Sequence, residues 1–309
     1  MRACRAWSPG RRETRLQGPI SAAIQTIDRC NAACVMCPYS SLHRQGPPTV
    51  MSDELFGRVA RELRRPGTVR TMCLMLQNEP LLDRRLGARA RLVRELFGEA
   101  LELVVVTHGE LLTEERVEEL SVVDRIEVSI DAARRETYEK VRPGLDYEAV
   151  VCNTRRLLER GGVRVTVKFV LQRDNEGEEE EFASFWRSLG ASVSIDRLCN
   201  RAGSLDGFER LWTRRSGLLR RFSQRVYDRL VPCCPLPFTT AYVLADGRMV
   251  TCSHDWEPRE VVGDLASQSL EEIWNGERLN RSRHLLFQGR ARESTVCRDC
   301  SLAGRFWEW

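Results

Sequence analysis

The sequence predicts an α/β protein: a partial (β/α)6 barrel followed by a small α+β module built around a β-hairpin. Two observations carry this expectation. Between residues 20 and 195, six apolar runs of strand length alternate with stretches of helical period, which is the pattern of parallel βα units. Beyond residue 232 the alternation stops, and Asp246-Gly247 separates two further strand-like runs, a strong hairpin signal. A third observation places the chemistry. Seven of the twelve cysteines fall into two groups, one in the loop after the first strand and one in the C-terminal region.

In chain order, residues 1–19 form an Arg-rich tail. It lacks the apolar stretch of a secretory signal and is expected to be a loose extension. Residues 20–27 make the first strand, and the cysteine loop follows. Ser52 caps a helix through residue 65, with Leu55, Val59 and Leu63 at helical spacing. Strands are expected at 69–76, 101–107, 124–130, 163–171 and, shorter, at 192–195. Helices are expected at 83–97, 113–120, 147–160 (ended by Gly161-Gly162) and 178–189. Six such units rather than eight suit an open, partial TIM-like barrel over residues 20–204, and ligands of such folds gather at the C-terminal strand ends. Residues 205–231 read as a helical linker, since Leu211, Leu218, Phe222, Val226 and Leu230 form an apolar stripe. Residues 232–309 form the small module.

Composition narrows the function classes. Apolar content of 42% and charged content of 30% describe an ordinary globular chain. No apolar run is long enough to span a membrane. Net charge is only +4, and just two of the 48 basic residues are lysines, Lys140 and Lys168. With acidic residues in near balance, this is not the concentrated basic face of a nucleic-acid binder. Twelve cysteines without a secretion signal point to a reducing, cytoplasmic location and to metal or redox use.

The organising motif is Cys30-Asn31-Ala32-Ala33-Cys34-Val35-Met36-Cys37. A closed tetrahedral zinc site needs four protein ligands, and this loop supplies three. A cubane iron–sulfur cluster on three thiolates keeps one iron open to a chelating guest. The motif resembles that of the radical S-adenosylmethionine enzymes, whose three cysteines sit on the loop after the first barrel strand. The resemblance implies a [4Fe–4S] cluster with S-adenosylmethionine on its open iron, cleaved to a 5′-deoxyadenosyl radical. It also implies roles at the strand ends. Gln77-Asn78-Glu79-Pro80 stands where the family has Gly-Gly-Glu-Pro, so Glu79 meets the methionine amino group. Ser129 and Asp131 meet the ribose hydroxyls, and Arg142 meets the methionine carboxylate, a charge-assisted pairing suited to a guanidinium. His108 replaces the asparagine of the family's Thr-Asn-Gly and reads as a hydrogen-bonded structural residue.

In the C-terminal group, Cys234 and Cys252 flank the hairpin, and Cys297-Arg298-Asp299-Cys300 adds a second pair. Four thiolates suit either a structural zinc or a second cluster, with Cys234 favoured over its neighbour Cys233 as a ligand. The run Gly263-Asp264-Leu265…Ser269-Leu270-Glu271-Glu272-Ile273-Trp274 resembles the twitch/SPASM modules that carry an auxiliary [4Fe–4S] cluster. The cysteine spacings are most similar to those of aminocyclitol dehydrogenases within this family. Cys73 and Cys152 read as small hydrophobes, and Cys4 is unassigned. Cys199 follows the sixth strand, where substrate belongs, with Asp196 and Arg197 beside it to orient a hydroxyl. The resemblance thus implies oxidation of a hydroxyl-bearing carbon of a small molecule, with the auxiliary cluster taking an electron and a flavodoxin- or ferredoxin-type protein supplying the first cluster. The alternatives are an epimerase with Cys199 as hydrogen donor, a peptide-modifying enzyme, and a zinc- or nucleic-acid-binding protein.

Overall fold

A computed structural model describes residues 15–42, 46–213 and 234–302. Six strands alternate with helices as expected: β1 (Ser21–Ile24), β2 (Thr71–Cys73), β3 (Glu102–Thr107), β4 (Arg125–Ser129), β5 (Arg164–Leu171) and β6 (Ser192–Arg197). The helices are α1 (Asp53–Arg64), α2 (Leu86–Phe97), α3 (Glu114–Glu119), α4 (Arg135–Val141), α5 (Tyr147–Arg160) and α6 (Glu179–Ser188). Ser52, Thr113 and Asp146 cap α1, α3 and α5 through side-chain oxygens, replacing partners that the first-turn N–H groups lack. On α1, Phe56, Val59, Ala60 and Leu63 are buried. Burying each large side chain among them contributes roughly 1.5–3 kcal/mol.

The strands form one sheet in the order β6-β5-β4-β3-β2-β1-β7-β8-β9. The expected hairpin exists: β7 (Thr240–Val243) runs antiparallel to β8 (Arg248–Val250), with Tyr242 opposite Val250, and β9 (Val261–Asp264) follows. It is not a detached unit, however. Strand β7 pairs in parallel with β1, Ser21 against Thr240 and Ile24 against Val243, so the C-terminal region continues the barrel sheet. Helices α7 (Leu270–Trp274) and α8 (Glu277–Phe287) cover it, and α7 begins with a Ser269/Glu272 capping box.

Several boundaries differ from the expectation. Strand β1 stops at Ile24 because the chain then turns to other partners: Ile27 bridges Val50 antiparallel, and the Gln25 side chain accepts from Ala245 N. Strand β6 runs on to Arg197, so Asp196 and Arg197 lie on the strand. Helix α4 was not foreseen. The tail's end is tied down, since Leu16 exchanges two hydrogen bonds with Asn275. Cys152 is exposed and so is no core residue. Most of the linker 205–231, together with Cys4 and Cys233, lies outside the described residues.

Candidate active site

The cavity follows from strand periodicity. On β4, Ile126 and Val128 enter the core; on β5, Val167 and Phe169 do. The alternate residues therefore point to the other face. There Glu127, Ser129, Lys168, Val170 and Asp196 line a cavity of ≈ 370 Å³, closed at one end by Cys30, Cys34 and Cys37. Every residue assigned from the sequence to the first cluster, the cofactor or the substrate borders this one space.

The cysteine loop is pinned from three sides. Asp28 N donates to Thr49 O, Val35 N to Val141 O at the end of α4, and Glu79 N to Arg29 O. Within it, Ala32 N donates to Cys30 Sγ at 3.4 Å and Arg142 Nη1 to Cys34 Sγ at 3.2 Å. Burial pushes the Cys30 thiol up to about 12 and that of Cys34 to about 11, the latter opposed by Arg142. Cys34 is buried and Cys30 and Cys37 are half-buried, and thiols such as Cys30 and Cys34 that resist ionisation alone are suited to a cationic iron centre, since the ion supplies the missing counter-charge. These residues fit a three-thiolate cluster.

Glu79 is 2% exposed. It caps the turn Pro80–Leu82 by accepting from Leu81 N at 3.1 Å, and also accepts from Thr107 Oγ1 at 2.7 Å and His108 N at 3.0 Å. Burial nevertheless raises its pKa to about 7, the hydrogen bonds opposing. Chemistry fixes the His108 ring. Asn31 Nδ2 donates to the Glu110 carboxylate at 3.1 Å, so Asn31 Oδ1 faces His108 Nε2 at 2.8 Å. Nδ1 in turn accepts from Glu110 N at 3.2 Å. His108 is therefore the neutral Nε2–H tautomer, its pKa lowered to about 3 by burial and then by Arg142. It links the cysteine loop to Glu79, the structural role read from the sequence.

Asp131, expected from the resemblance at the ribose, has protein partners as well. It is fully buried with φ +64°, and its carboxylate is already engaged: Oδ2 accepts from Arg142 Nε at 2.9 Å and also from Nη2, while Oδ1 accepts from Val170 N at 2.6 Å. It sits against Arg142 and borders the cavity. Burial alone would lower the Arg142 pKa, but Asp131 outweighs it and holds the pKa high.

A charged pair on the inner strands, Glu127 and Lys168, escaped the sequence reading. Lys168 Nζ lies 3.4 Å from Glu127 Oε2 and 3.0 Å from Asp196 Oδ2, a charged row across β4, β5 and β6. The signal was present: each alternates with core residues on its strand, and Lys168 is one of two lysines in an arginine-rich chain. Beyond β6, Cys199 Sγ lies 3.9 Å from His254 Nε2. His254 N donates to Cys252 Sγ at 3.4 Å, so the cavity wall at Cys199 is joined to the second cysteine group through His254.

In that group Cys234, Cys297 and Cys300 share one apolar cluster, and Cys300 also packs with Cys252. Burial raises the Cys297 pKa to about 12 and that of Cys252 well above its ordinary value, the neighbouring thiols adding to both. Glu260, also missed, orders the terminal pair by accepting from Ser294 Oγ at 2.7 Å and Thr295 N at 2.9 Å. Two buried thiols, Cys252 and Cys297, and two half-buried ones, Cys234 and Cys300, fit an auxiliary cluster held by thiolates alone.

Comparison with known proteins agrees with this geometry. The family model of the Radical SAM superfamily matches residues 24–185, and that of the SPASM iron–sulfur cluster-binding domain matches residues 233–301. The S-adenosyl-L-methionine-dependent 2-deoxy-scyllo-inosamine dehydrogenase of Niallia circulans is 20% identical over 278 residues, covering 90% of this chain and 91% of that protein. The mycofactocin maturase MftC of Mycobacterium tuberculosis is 26% identical over 196 residues, 60% of this chain and 46% of its own length. Among solved structures, BtrN in complex with AdoMet and 2-DOIA superposes with TM-score 0.61 at 18% identity, covering 91% and 92% of the two chains. Streptococcus suis SuiB bound to precursor peptide SuiA gives 0.70 at 14% identity, covering 93% and 70%. With the first match spanning more than half its length, the chain belongs to the radical SAM superfamily, and S-adenosylmethionine and iron–sulfur clusters are its cofactors.

Proposed function

We propose that the protein oxidises a hydroxyl-bearing carbon of a small sugar- or aminocyclitol-like molecule and passes one electron to the auxiliary cluster. One observation carries this reading: Cys199 and Trp256 border the same cavity as Cys30, Cys34 and Cys37, and His254 joins Cys199 to Cys252. This supports a substrate held beside the first cysteine group and within reach of the second. The dehydrogenase matched over 91% of its length supports the reading. Cofactor and first cluster, when bound, supply the radical that takes a hydrogen atom from carbon. The chain's own residues do the rest. Glu79 meets the cofactor's ammonium, Arg142 its carboxylate and Ser129 its ribose, while Asp196 accepts the hydroxyl proton as the carbonyl forms and Arg197 orients it. Electrons for the first cluster come from a flavodoxin- or ferredoxin-type protein in the cytoplasm; no helix among the described residues is long and apolar enough to cross a membrane.

Cys199 favours a second reading, radical epimerisation with the thiol returning a hydrogen atom. The test is anaerobic Cys252→Ser holoenzyme with the aminocyclitol 2-deoxy-scyllo-inosamine. Dehydrogenation predicts cofactor cleavage without ketone; ketone at the native rate refutes the auxiliary cluster's part.

A further inference from the structure

One wall of the cavity holds polar atoms that the fold does not use. Sixteen buried side-chain nitrogen and oxygen atoms of the described residues have no hydrogen-bond partner, and five of them sit together: Gln77 Oε1, Asn78 Nδ2, Arg201 Nε, His254 Nδ1 and Trp256 Nε1. All but His254 belong to residues that line the cavity. Gln77 is 2% and Trp256 7% exposed. Leaving such an atom unpaired costs roughly 1–3 kcal/mol, and native folds keep few. A concentration of them at a cavity wall is a site built for something other than the protein itself.

The local bonding sets what each atom offers. Gln77 Nε2 donates to Ser253 O at 2.8 Å and Asp255 O at 3.1 Å. Both amide hydrogens are thereby spent, leaving Oε1 as an acceptor. Asn78 Oδ1 accepts from Leu76 N at 3.1 Å, leaving its amide nitrogen as a donor. Arg201 Nη1 lies 3.3 Å from His254 Nε2, and its Nε–H remains. Arg201 and Ala202 are both held at positive φ, +49° and +58°, a strained pair that fixes where the guanidinium points. Three segments, two from the barrel and one from the auxiliary region, thus present three donors and one acceptor.

We propose that Gln77, Asn78, Arg201 and Trp256 form a hydroxyl-recognition subsite that holds the rim of a polyhydroxylated ring. A hydroxyl both accepts and donates, matching three N–H groups and one carbonyl, whereas an ammonium could use only Gln77. The inference rests on the proposed oxidation of a hydroxyl-bearing substrate and names the groups that choose it. It also accounts for the replacement of the family's glycine by Gln77, whose side chain ties the Glu79 loop to the auxiliary loop and carries the acceptor.

The test is calorimetric titration of anaerobic holoenzyme, saturated with S-adenosylmethionine, using scyllo-inositol, 2-deoxy-scyllo-inosamine, cyclohexanol and a capped dipeptide. The subsite predicts that a polyol binds at least about tenfold more tightly than cyclohexanol. Trp256→Phe keeps the ring and loses the N–H; Asn78→Asp keeps the turn acceptor and loses the donor. Each should weaken the polyol about two- to tenfold, the worth of one neutral hydrogen bond, with visible cluster absorption verifying the fold. Failure of every polyol to bind, tighter binding of the dipeptide, or native polyol affinity in both variants overturns the subsite. An equal loss of cofactor affinity in the variants also overturns it, because the wall would then belong to the cofactor. Ketone formation in the native enzyme alongside unchanged variant affinities would leave the oxidation standing and the subsite refuted; Trp256-dependent binding without ketone would do the reverse.

Discussion

Asp131 and Arg142 form a buried pair whose energetics decide what each is for. Asp131 is fully buried and Arg142 is 7% exposed, and two guanidinium N–H groups converge on one carboxylate oxygen. Arg142→Met strands the Asp131 charge in the interior, and breaking a buried pair from one side costs about 3–5 kcal/mol. At this chain length that is a fall in Tm of roughly 6–10 °C, taking about 2 °C per kcal/mol. Asp131→Asn removes the charge, still accepts from Val170 N, and tolerates positive φ. In the double variant the stranded charge is gone, so the combined loss should fall short of the sum by roughly 2 kcal/mol. Thermal unfolding of the anaerobic holoenzyme by circular dichroism measures all three. Additive losses, within about 0.5 kcal/mol, would show that Asp131 does not anchor Arg142.

Glu79 gives a pH signature. Its pKa of about 7 before cofactor binds means that the neutral acid dominates below pH 7, whereas an ammonium partner needs the carboxylate. Cofactor affinity should therefore rise with pH up to about 7, approaching tenfold per unit on the acid side, and level off above; a flat profile, or the same profile in Glu79→Gln, would refute the contact. Cys199→Ala should still produce ketone while abolishing any epimerised product, so loss of ketone would make the thiol part of the oxidation. Leu63→Ala, at a fully buried position of α1, should cost about 2–5 kcal/mol with the clusters retained at low temperature; native stability would refute the burial of that face.

What was legible in the sequence was what short-range chemistry encodes. Three thiols in eight residues, polar groups at the ends of apolar strands, caps and the Asp-Gly turn can each be read without a partner. What stayed hidden depends on neighbours distant in sequence. The pairing of β7 with β1 joins segments more than two hundred residues apart and has no local signature. Asp131 looked free because Arg142 is bonded to it only once α4 has turned the chain. Lys168 and Glu127 were overlooked because an alternating polar residue on a strand normally faces solvent, whereas here that face lines the cavity. Gln77 looked like a flawed motif glycine until its contacts with Ser253 and Asp255 gave it a task.

The central claim, oxidation between two clusters, is tested most directly by isotope. With a polyol substrate deuterated at the reacting carbon, the enzyme should yield one 5′-deoxyadenosine bearing a single deuterium for each ketone formed, with no deuterium or solvent hydrogen on the product carbon. A product of substrate oxidation level, carrying solvent hydrogen at that carbon and lost in Cys199→Ala, would contradict it.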